Sequence, residues 1–161
     1  MNYKTSGLDR WGGLFHYSAL MVLVITAACK LVSVMGEAKV LVMADPIFRN
    51  FSTRQMLMVA ALMELGVAWY LWRGRNAIIK SYLLFWMCGL FIAYRIGLWM
   101  MNYKGCSCVG TVAQWLPVSP ATVDVLMKVI LVYMTVGSAF FLIVELVWDK
   151  GKKAVENAHA D

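Results

Sequence analysis

The sequence predicts an all-α fold: an integral membrane bundle of four transmembrane helices that forms a single domain over residues 1–161. Hydrophobic residues make up 61% of the chain and the mean hydropathy is +0.68, far from the composition of a soluble domain. Four separate apolar runs are each long enough to cross about 30 Å of hydrocarbon. Most of the basic residues stand at the ends of these runs. Flanking Lys and Arg are typical of membrane helices, so the net charge of +6 predicts contact with a lipid bilayer rather than with nucleic acid.

The first two predicted spans lie in the N-terminal half of the chain. The first covers residues 14–34 and the second covers residues 54–72. Ser52 and Gln55 stand three residues apart at the start of the second run, in the Ser-x-x-Gln pattern of a capping box. This pattern predicts that the second helix begins next to Ser52.

The last two predicted spans lie in the C-terminal half. The third covers residues 81–101, and the fourth covers residues 121–148, which is longer than a bilayer requires. Asp124 and Lys128 are four residues apart on one face, so we expect a paired helical turn in water at the start of the fourth helix. Residues 149–161 form a charged tail, predicted to be cytoplasmic.

The distribution of the Lys and Arg residues that lie outside the spans or at the first residue of a span predicts the orientation. Eight of them fall on the side of the termini and the middle connection, and four on the other side: Lys4, Arg10, Arg73, Arg75, Lys80, Lys150, Lys152 and Lys153 against Lys39, Arg49, Arg54 and Lys104. The positive-inside rule then predicts a multi-pass protein of the inner (cytoplasmic) membrane with both termini in the cytoplasm. The first and third connections face outward.

A secretory signal is the alternative interpretation of the N-terminus. Residues 1–29 have a basic start, an apolar middle and the small residues Ala27 and Ala28 before Cys29. Against cleavage, the apolar run continues past Lys30, and Thr26 stands where a lipoprotein signal usually has a large aliphatic residue. Cleavage would leave three spans.

One short segment has the composition of a chemical site: residues 105–110, in the outward connection, contain Cys106 and Cys108 separated by Ser107. Cysteines two residues apart can bridge, and so small a ring removes little chain entropy, which makes it a poor structural staple. Strained, exposed disulfides are the labile ones, so we assign Cys106 and Cys108 as candidate catalytic residues. A static bridge, reduced thiols and a metal ligand pair stay open, although two thiolates leave a tetrahedral metal site half filled and no metal is predicted.

Charged residues inside the spans predict an intramembrane polar site formed by Glu64, Arg95 and Lys30. Charges in hydrocarbon are costly and usually pair inside the bundle, so Glu64 should pair with Arg95 or with Lys30. Such a pair either locks two helices together or supplies a cation beneath the Cys-x-Cys loop that stabilises a thiolate. We expect His16 to be an interfacial side chain rather than a catalytic one. Cys29 and Cys88, inside the spans, are expected to act as small hydrophobes.

The order of several motifs resembles a known family. The first helix ends with Ala27-Ala28-Cys29-Lys30-Leu31, a loop carries Asp45-Pro46-Ile47-Phe48, the second helix carries Glu64-Leu65-Gly66, and Cys106-Ser107-Cys108-Val109-Gly110 follows the third. This order resembles the DoxX-like superfamily and, within it, the methylamine-utilisation protein MauE branch, over about residues 10–148. The resemblance implies a four-helix, redox-associated membrane protein that takes part in protein maturation, with Lys30, Glu64, Cys106 and Cys108 at matching positions.

Three functional hypotheses follow. The first is a membrane component of thiol–disulfide exchange, in effect an oxidoreductase, that passes electrons between a quinone or another membrane partner and a thiol protein. Its partner would be a periplasmic thioredoxin-like protein or a secreted Cys-containing client. The second hypothesis is a non-catalytic subunit or assembly factor of a membrane complex. The third is a small transporter, which only Glu64 and Arg95 suggest. The sequence carries no cofactor-binding motif of its own.

Overall fold

The computed structural model describes residues 6–36, 39–101 and 120–158. Within these ranges the chain is helical and contains no β-strand beyond one isolated bridge. The elements in chain order are α1 (Ser6–Val34), the short α2 (Lys39–Val42), α3 (Thr53–Arg73), α4 (Ala77–Met100) and α5 (Pro120–Ala158). The predicted all-α fold with four long helices is thereby confirmed.

All four long helices contain a segment that is long and apolar enough to cross a membrane, as in a multi-pass membrane protein. These segments are Arg10–Val34, Thr53–Arg73, Ala77–Met100 and Thr122–Trp148. They agree with the predicted spans to within a few residues at each end. α5 continues to Ala158, so residues 149–158, predicted only as a tail, extend the last helix.

Each of the four long helices packs antiparallel to its neighbours. α1 packs along α3, and α4 packs along α5, while smaller contacts join α3 to α4 and α1 to α5. Consecutive long helices run in opposite directions, so the N-terminus of α1, the connection over residues 74–76 and the end of α5 lie at one end of the bundle. We call this the terminal end and the other the loop end.

The core draws on all four helices. Its buried side chains are Phe15, Ala19, Leu23, Val67, Ala68, Leu71, Leu84, Met87, Cys88 and Met134. Cys88 is therefore a small core residue, as predicted. α1 contributes three of the ten, so the bundle uses the segment that resembles a secretory signal.

Large apolar side chains also cover the outside of the bundle. Along α5, Val129, Val132, Val136 and Ile143 are each about 60% exposed or more. Monomeric soluble proteins rarely expose such continuous apolar surface, whereas a lipid-facing helix requires it. Four tryptophans near the helix ends are exposed on the outside of the bundle: Trp11, Trp72, Trp99 and Trp148. This surface is compatible with lipid contact around the whole bundle.

A glycine allows α1 and α5 to approach. A Cβ built on Gly137 would lie 2.2 Å from Cε2 of Phe15, so the aromatic ring occupies the space that any larger residue at position 137 would need. The Phe15 ring also stacks on Phe141, with 5.1 Å between ring centroids. This contact closes the side of the bundle where the two helices touch.

The connection before α3 folds back onto α4. Asp45, which is 1% exposed, accepts hydrogen bonds from the backbone amides of Ile47 (2.9 Å) and Phe48 (3.0 Å) through Oδ1. Its Oδ2 accepts a 2.7 Å hydrogen bond from the Tyr94 hydroxyl of α4. Both oxygens of the buried Asp45 carboxylate therefore accept hydrogen bonds. The bond from Tyr94 fixes the loop to the bundle.

The predicted capping box is present at the start of α3. Ser52 Oγ accepts from the Gln55 amide at 3.3 Å, and the Gln55 side chain accepts from the Ser52 amide at 2.9 Å. These reciprocal bonds satisfy two of the orphan amide groups at the start of a helix. The capping box therefore sets where the second span begins.

Candidate functional site

Lys30 and Glu64 form a buried ion pair between α1 and α3. The Lys30 ammonium contacts Glu64 Oε1, and the two side chains are only 5% and 2% exposed. Lys30 lies one turn before the end of α1, and Glu64 lies in the middle of α3. The antiparallel packing of the two helices allows the two side chains to meet. Of the two partners predicted for Glu64, the structure selects Lys30.

The surroundings of this pair are largely apolar. Lys30 Nζ lies 5.0 Å from the centroid of the Phe91 ring, which adds a cation–π contact from α4. The Thr26 hydroxyl stands beside the carboxylate but gives its single proton to the carbonyl of Leu23, at 3.1 Å. Glu64 Oε2 is buried and accepts no hydrogen bond from the part of the chain that the structure describes. The pair is therefore enclosed and has one unused acceptor.

Arg95 belongs to a different cluster. Its guanidinium contacts Asp124 Oδ1 of α5, and Lys128 Nζ lies 2.7 Å from Asp124 Oδ2. The Asp124–Lys128 turn predicted from the sequence is confirmed, and Arg95 joins it. The three predicted polar residues therefore form two sites, with Arg95 paired to Asp124 and not to Glu64. Two cations share one carboxylate here, so the cluster carries net positive charge.

Cys106 and Cys108 lie in residues 102–119, outside the described residues. Their assignment as a catalytic pair stays a prediction. The chain itself fixes one fact about them: the segment that carries them joins the end of α4 to the start of α5. Arg95 and Asp124 stand close to those two helix ends.

The remaining cysteines are free thiols within the bundle. Cys88 is 1% exposed in the core, and Cys29 is partly exposed on α1. Among the described residues no group of three or more His, Cys, Asp or Glu side chains could hold a metal ion.

His16 occupies a different environment from the one predicted. It lies near the terminal end of α1, as the sequence indicated. Its side chain, however, is buried inside the bundle, at 8% exposed, whereas an interfacial side chain was predicted. Its Nδ1 donates to the Gly12 carbonyl at 2.7 Å, and its Nε2 lies 3.2 Å from Oγ of the fully buried Ser81 on α4. Ser81 Oγ lies 3.2 Å from Glu145 Oε2 on α5. Three helices thus meet in one polar chain.

Sequence reasoning missed Ser81, Glu145 and the Asp45–Tyr94 bond. A signal existed for the first two: His16, Ser81 and Glu145 all stand near the terminal end of their spans, where antiparallel helices bring them level. Asp45 entered the sequence analysis only as part of a family-like motif, and nothing local to Tyr94 indicated its partner.

The chain was also compared with known proteins. It matches no family model, no curated protein and no solved structure. The resemblance to the DoxX-like superfamily therefore rests on the sequence motifs alone.

Proposed function

We propose that this chain is a multi-pass inner-membrane component of thiol–disulfide exchange in which Cys106 and Cys108 form the redox pair. The observation that carries the proposal is the position of the Cys-x-Cys segment between α4 and α5. The helix ends that flank this segment carry the net positive cluster of Arg95, Lys128 and Asp124. Nearby positive charge favours the thiolate, which is the reactive form of cysteine.

The proposed chemistry is a two-electron exchange with a client. A thiolate of the client attacks the Cys106–Cys108 disulfide and forms a mixed disulfide, and one cysteine of the pair leaves as a thiolate. The client's second thiolate then attacks the mixed disulfide, so the client is oxidised and the pair becomes a dithiol. A quinone or another disulfide in the membrane takes the two electrons and two protons when the pair is oxidised again. A periplasmic thioredoxin-like protein or a secreted Cys-containing protein fits the client's role.

The Lys30–Glu64 pair has a supporting part in this proposal. It lies in the loop-end half of the bundle, between α1 and α3, whereas the Cys-x-Cys segment connects α4 and α5. Both side chains are enclosed, so neither is offered to a client. We assign the pair the role of holding α1 and α3 together in the bundle that carries this segment.

The basic residues support the proposed orientation. Both termini would lie in the cytoplasm, and the Cys-x-Cys segment would face the oxidising side, where disulfides persist. In a Cys29→Ser, Cys88→Ser background, a membrane-impermeant maleimide should label Cys106 and Cys108 in reduced, intact spheroplasts. Labelling only after lysis would show that the segment faces the cytoplasm and that the proposed orientation is wrong.

A second candidate function is a non-catalytic subunit or assembly factor of a membrane complex. The observation that favours it is the apolar face of α5, where Val132 and Val136 are 62% and 63% exposed. Such a face suits a neighbouring helix as well as lipid. In this case Cys106 and Cys108 would be a static bridge or simply reduced.

A trapping experiment separates the two candidates. Cys108→Ser leaves a single thiolate at Cys106, which can attack the disulfide of an oxidised client in the reverse of the proposed exchange. No second cysteine of the pair remains to release that client, so a mixed disulfide should accumulate and should disappear on reduction. Cys29→Ser serves as the matched control, because Cys29 lies within α1, and this variant should give no adduct. If Cys106→Ser and Cys108→Ser both assemble and neither traps an adduct, the redox proposal is wrong and the subunit role replaces it.

A further inference from the structure

The polar chain at the terminal end consists of three hydrogen-bond links in series. It runs from the Gly12 carbonyl through His16 Nδ1 (2.7 Å) and from His16 Nε2 to Ser81 Oγ (3.2 Å), and it ends at Glu145 Oε2, 3.2 Å from Ser81. Ser81 is 0% exposed and His16 is 8% exposed, while Glu145 is only partly buried. The chain therefore leads from inside the bundle towards its surface.

The protons in this chain can be counted. A carbonyl oxygen only accepts, so His16 Nδ1 must carry a hydrogen. Two links remain, one on each side of Ser81, and each needs one hydrogen. The Ser81 hydroxyl supplies one of them. The second must come from an imidazolium at His16 or from a carboxylic acid at Glu145, since a neutral His16 and an ionised Glu145 would leave two lone pairs facing each other across one link.

We propose that His16, Ser81 and Glu145 form a proton-binding site that holds one exchangeable proton, shared between His16 and Glu145 through Ser81. In one state His16 is an imidazolium and Glu145 a carboxylate. In the other state His16 is neutral and Glu145 is a carboxylic acid. Conversion moves the Nε2 proton to Ser81 Oγ while the Ser81 proton passes to Glu145 Oε2, so the number of protons and the net charge are unchanged. The ligand is a proton from water, and the inference does not depend on the thiol–disulfide proposal.

Aromatic rings shield the shared proton from water at the His16 end of the polar chain only. The rings of Phe15 and Phe141 lie 5.6 Å and 6.3 Å from the His16 ring, between centroids, and exclude water on that side. Lys80 of α4 is a charged neighbour of both His16 and Glu145. Arg73 of α3 and Arg75 of the connection, at the same end of the bundle, are exposed. Exchange with solvent therefore takes place at Glu145.

The site also joins α1 to α4 and α5, two helices with which α1 makes little direct contact. His16 belongs to α1, Ser81 to α4 and Glu145 to α5, whereas the main packing of the bundle pairs α1 with α3 and α4 with α5. The shared proton consequently lies between the two helix pairs.

Nuclear magnetic resonance of the full chain in nanodiscs tests this inference. A His159→Asn background leaves His16 as the one imidazole, because the chain has two histidines. The imidazole nitrogens and the Glu145 carboxyl carbon are then followed as the pH is changed. Groups coupled by more than about 1 pK unit titrate as a pair, so both signals should show the same midpoints. Different midpoints for the two signals in this parent protein would overturn the inference.

Two substitutions sharpen the test. Ser81→Ala removes the bridge, so the two signals should acquire separate midpoints. Ser138→Ala is the matched control, because Ser138 is also 0% exposed but donates to a carbonyl of its own helix, Thr135, at 3.1 Å. Glu145→Gln should hold His16 in its neutral form with the hydrogen on Nδ1. Coincident midpoints that persist in Ser81→Ala, or an imidazolium that persists unchanged in Glu145→Gln, would contradict the shared proton.

Discussion

The two ion-pair clusters differ most in their contact with solvent. Lys30 and Glu64 are 5% and 2% exposed, whereas Arg95, Asp124 and Lys128 are 21%, 38% and 57% exposed. Removing one partner of a buried pair strands a charge in a medium of low dielectric constant, while an exposed pair loses little because water replaces the partner. The buried pair therefore contributes more to the packing of α1 against α3, and the exposed cluster mainly adds positive charge near the ends of α4 and α5 that flank the Cys-x-Cys segment.

The largest expected effect comes from breaking the buried pair. Glu64→Gln leaves the Lys30 ammonium without a counter-charge and should lower the free energy of unfolding by about 3–5 kcal/mol. Unfolding in mixed micelles of a mild detergent and dodecyl sulfate measures this difference. Arg49→Gln, at an exposed charge in the loop before α3, is the control and should stay within about 0.5 kcal/mol of the parent protein.

Removing both charges tests whether the effect belongs to the pair. Lys30→Met combined with Glu64→Gln leaves no uncompensated charge, so the double variant should be more stable than Glu64→Gln alone. The two single changes should therefore be strongly non-additive. Full additivity in the double-mutant cycle would mean that the two side chains do not interact in the folded protein.

An intermediate effect is expected at Asp45, which is as buried as Glu64 but receives its hydrogen bonds from several donors. Tyr94→Phe removes the hydroxyl that donates to Asp45 Oδ2 at 2.7 Å and should cost about 1–3 kcal/mol, since the carboxylate loses a buried donor. Tyr82→Phe, on the same helix and 56% exposed, is the control. Equal unfolding free energies for both variants would show that the loop does not depend on this bond.

The smallest effect is expected in the exposed cluster. Asp124→Asn removes the carboxylate shared by Arg95 and Lys128 and should cost about 0.2–1 kcal/mol, and the difference should shrink as salt is added. Unfolding measured at low and high ionic strength checks both expectations. A loss as large as that of Glu64→Gln would remove the distinction between the two clusters.

The spans could be predicted from the sequence because hydropathy and length act locally. The capping box at Ser52 and the paired turn at Asp124 and Lys128 were predictable for the same reason, since both involve residues three or four positions apart. Each feature involves residues within one helix or at its start.

Partners on different helices could not be predicted in the same way. Glu64 had two candidate cations, and only the level at which α1 and α3 pack selects Lys30 over Arg95. His16 likewise belongs to a polar chain with Ser81 and Glu145, which lie more than sixty residues apart in the sequence. Such contacts depend on the order of the helices around the bundle. The spacing of residues within one helix does not reveal that order.

The most direct test of the proposed function is a redox titration of Cys106 and Cys108 in the membrane. Cys29→Ser with Cys88→Ser removes the other two thiols, and alkylation after equilibration with thiol–disulfide buffers gives the fraction oxidised at each potential. A pair that exchanges with clients should change state reversibly in a two-electron step at a potential above about −300 mV, where labile and catalytic disulfides lie. A pair that stays oxidised to lower potentials, or never forms a disulfide, would contradict the proposed exchange.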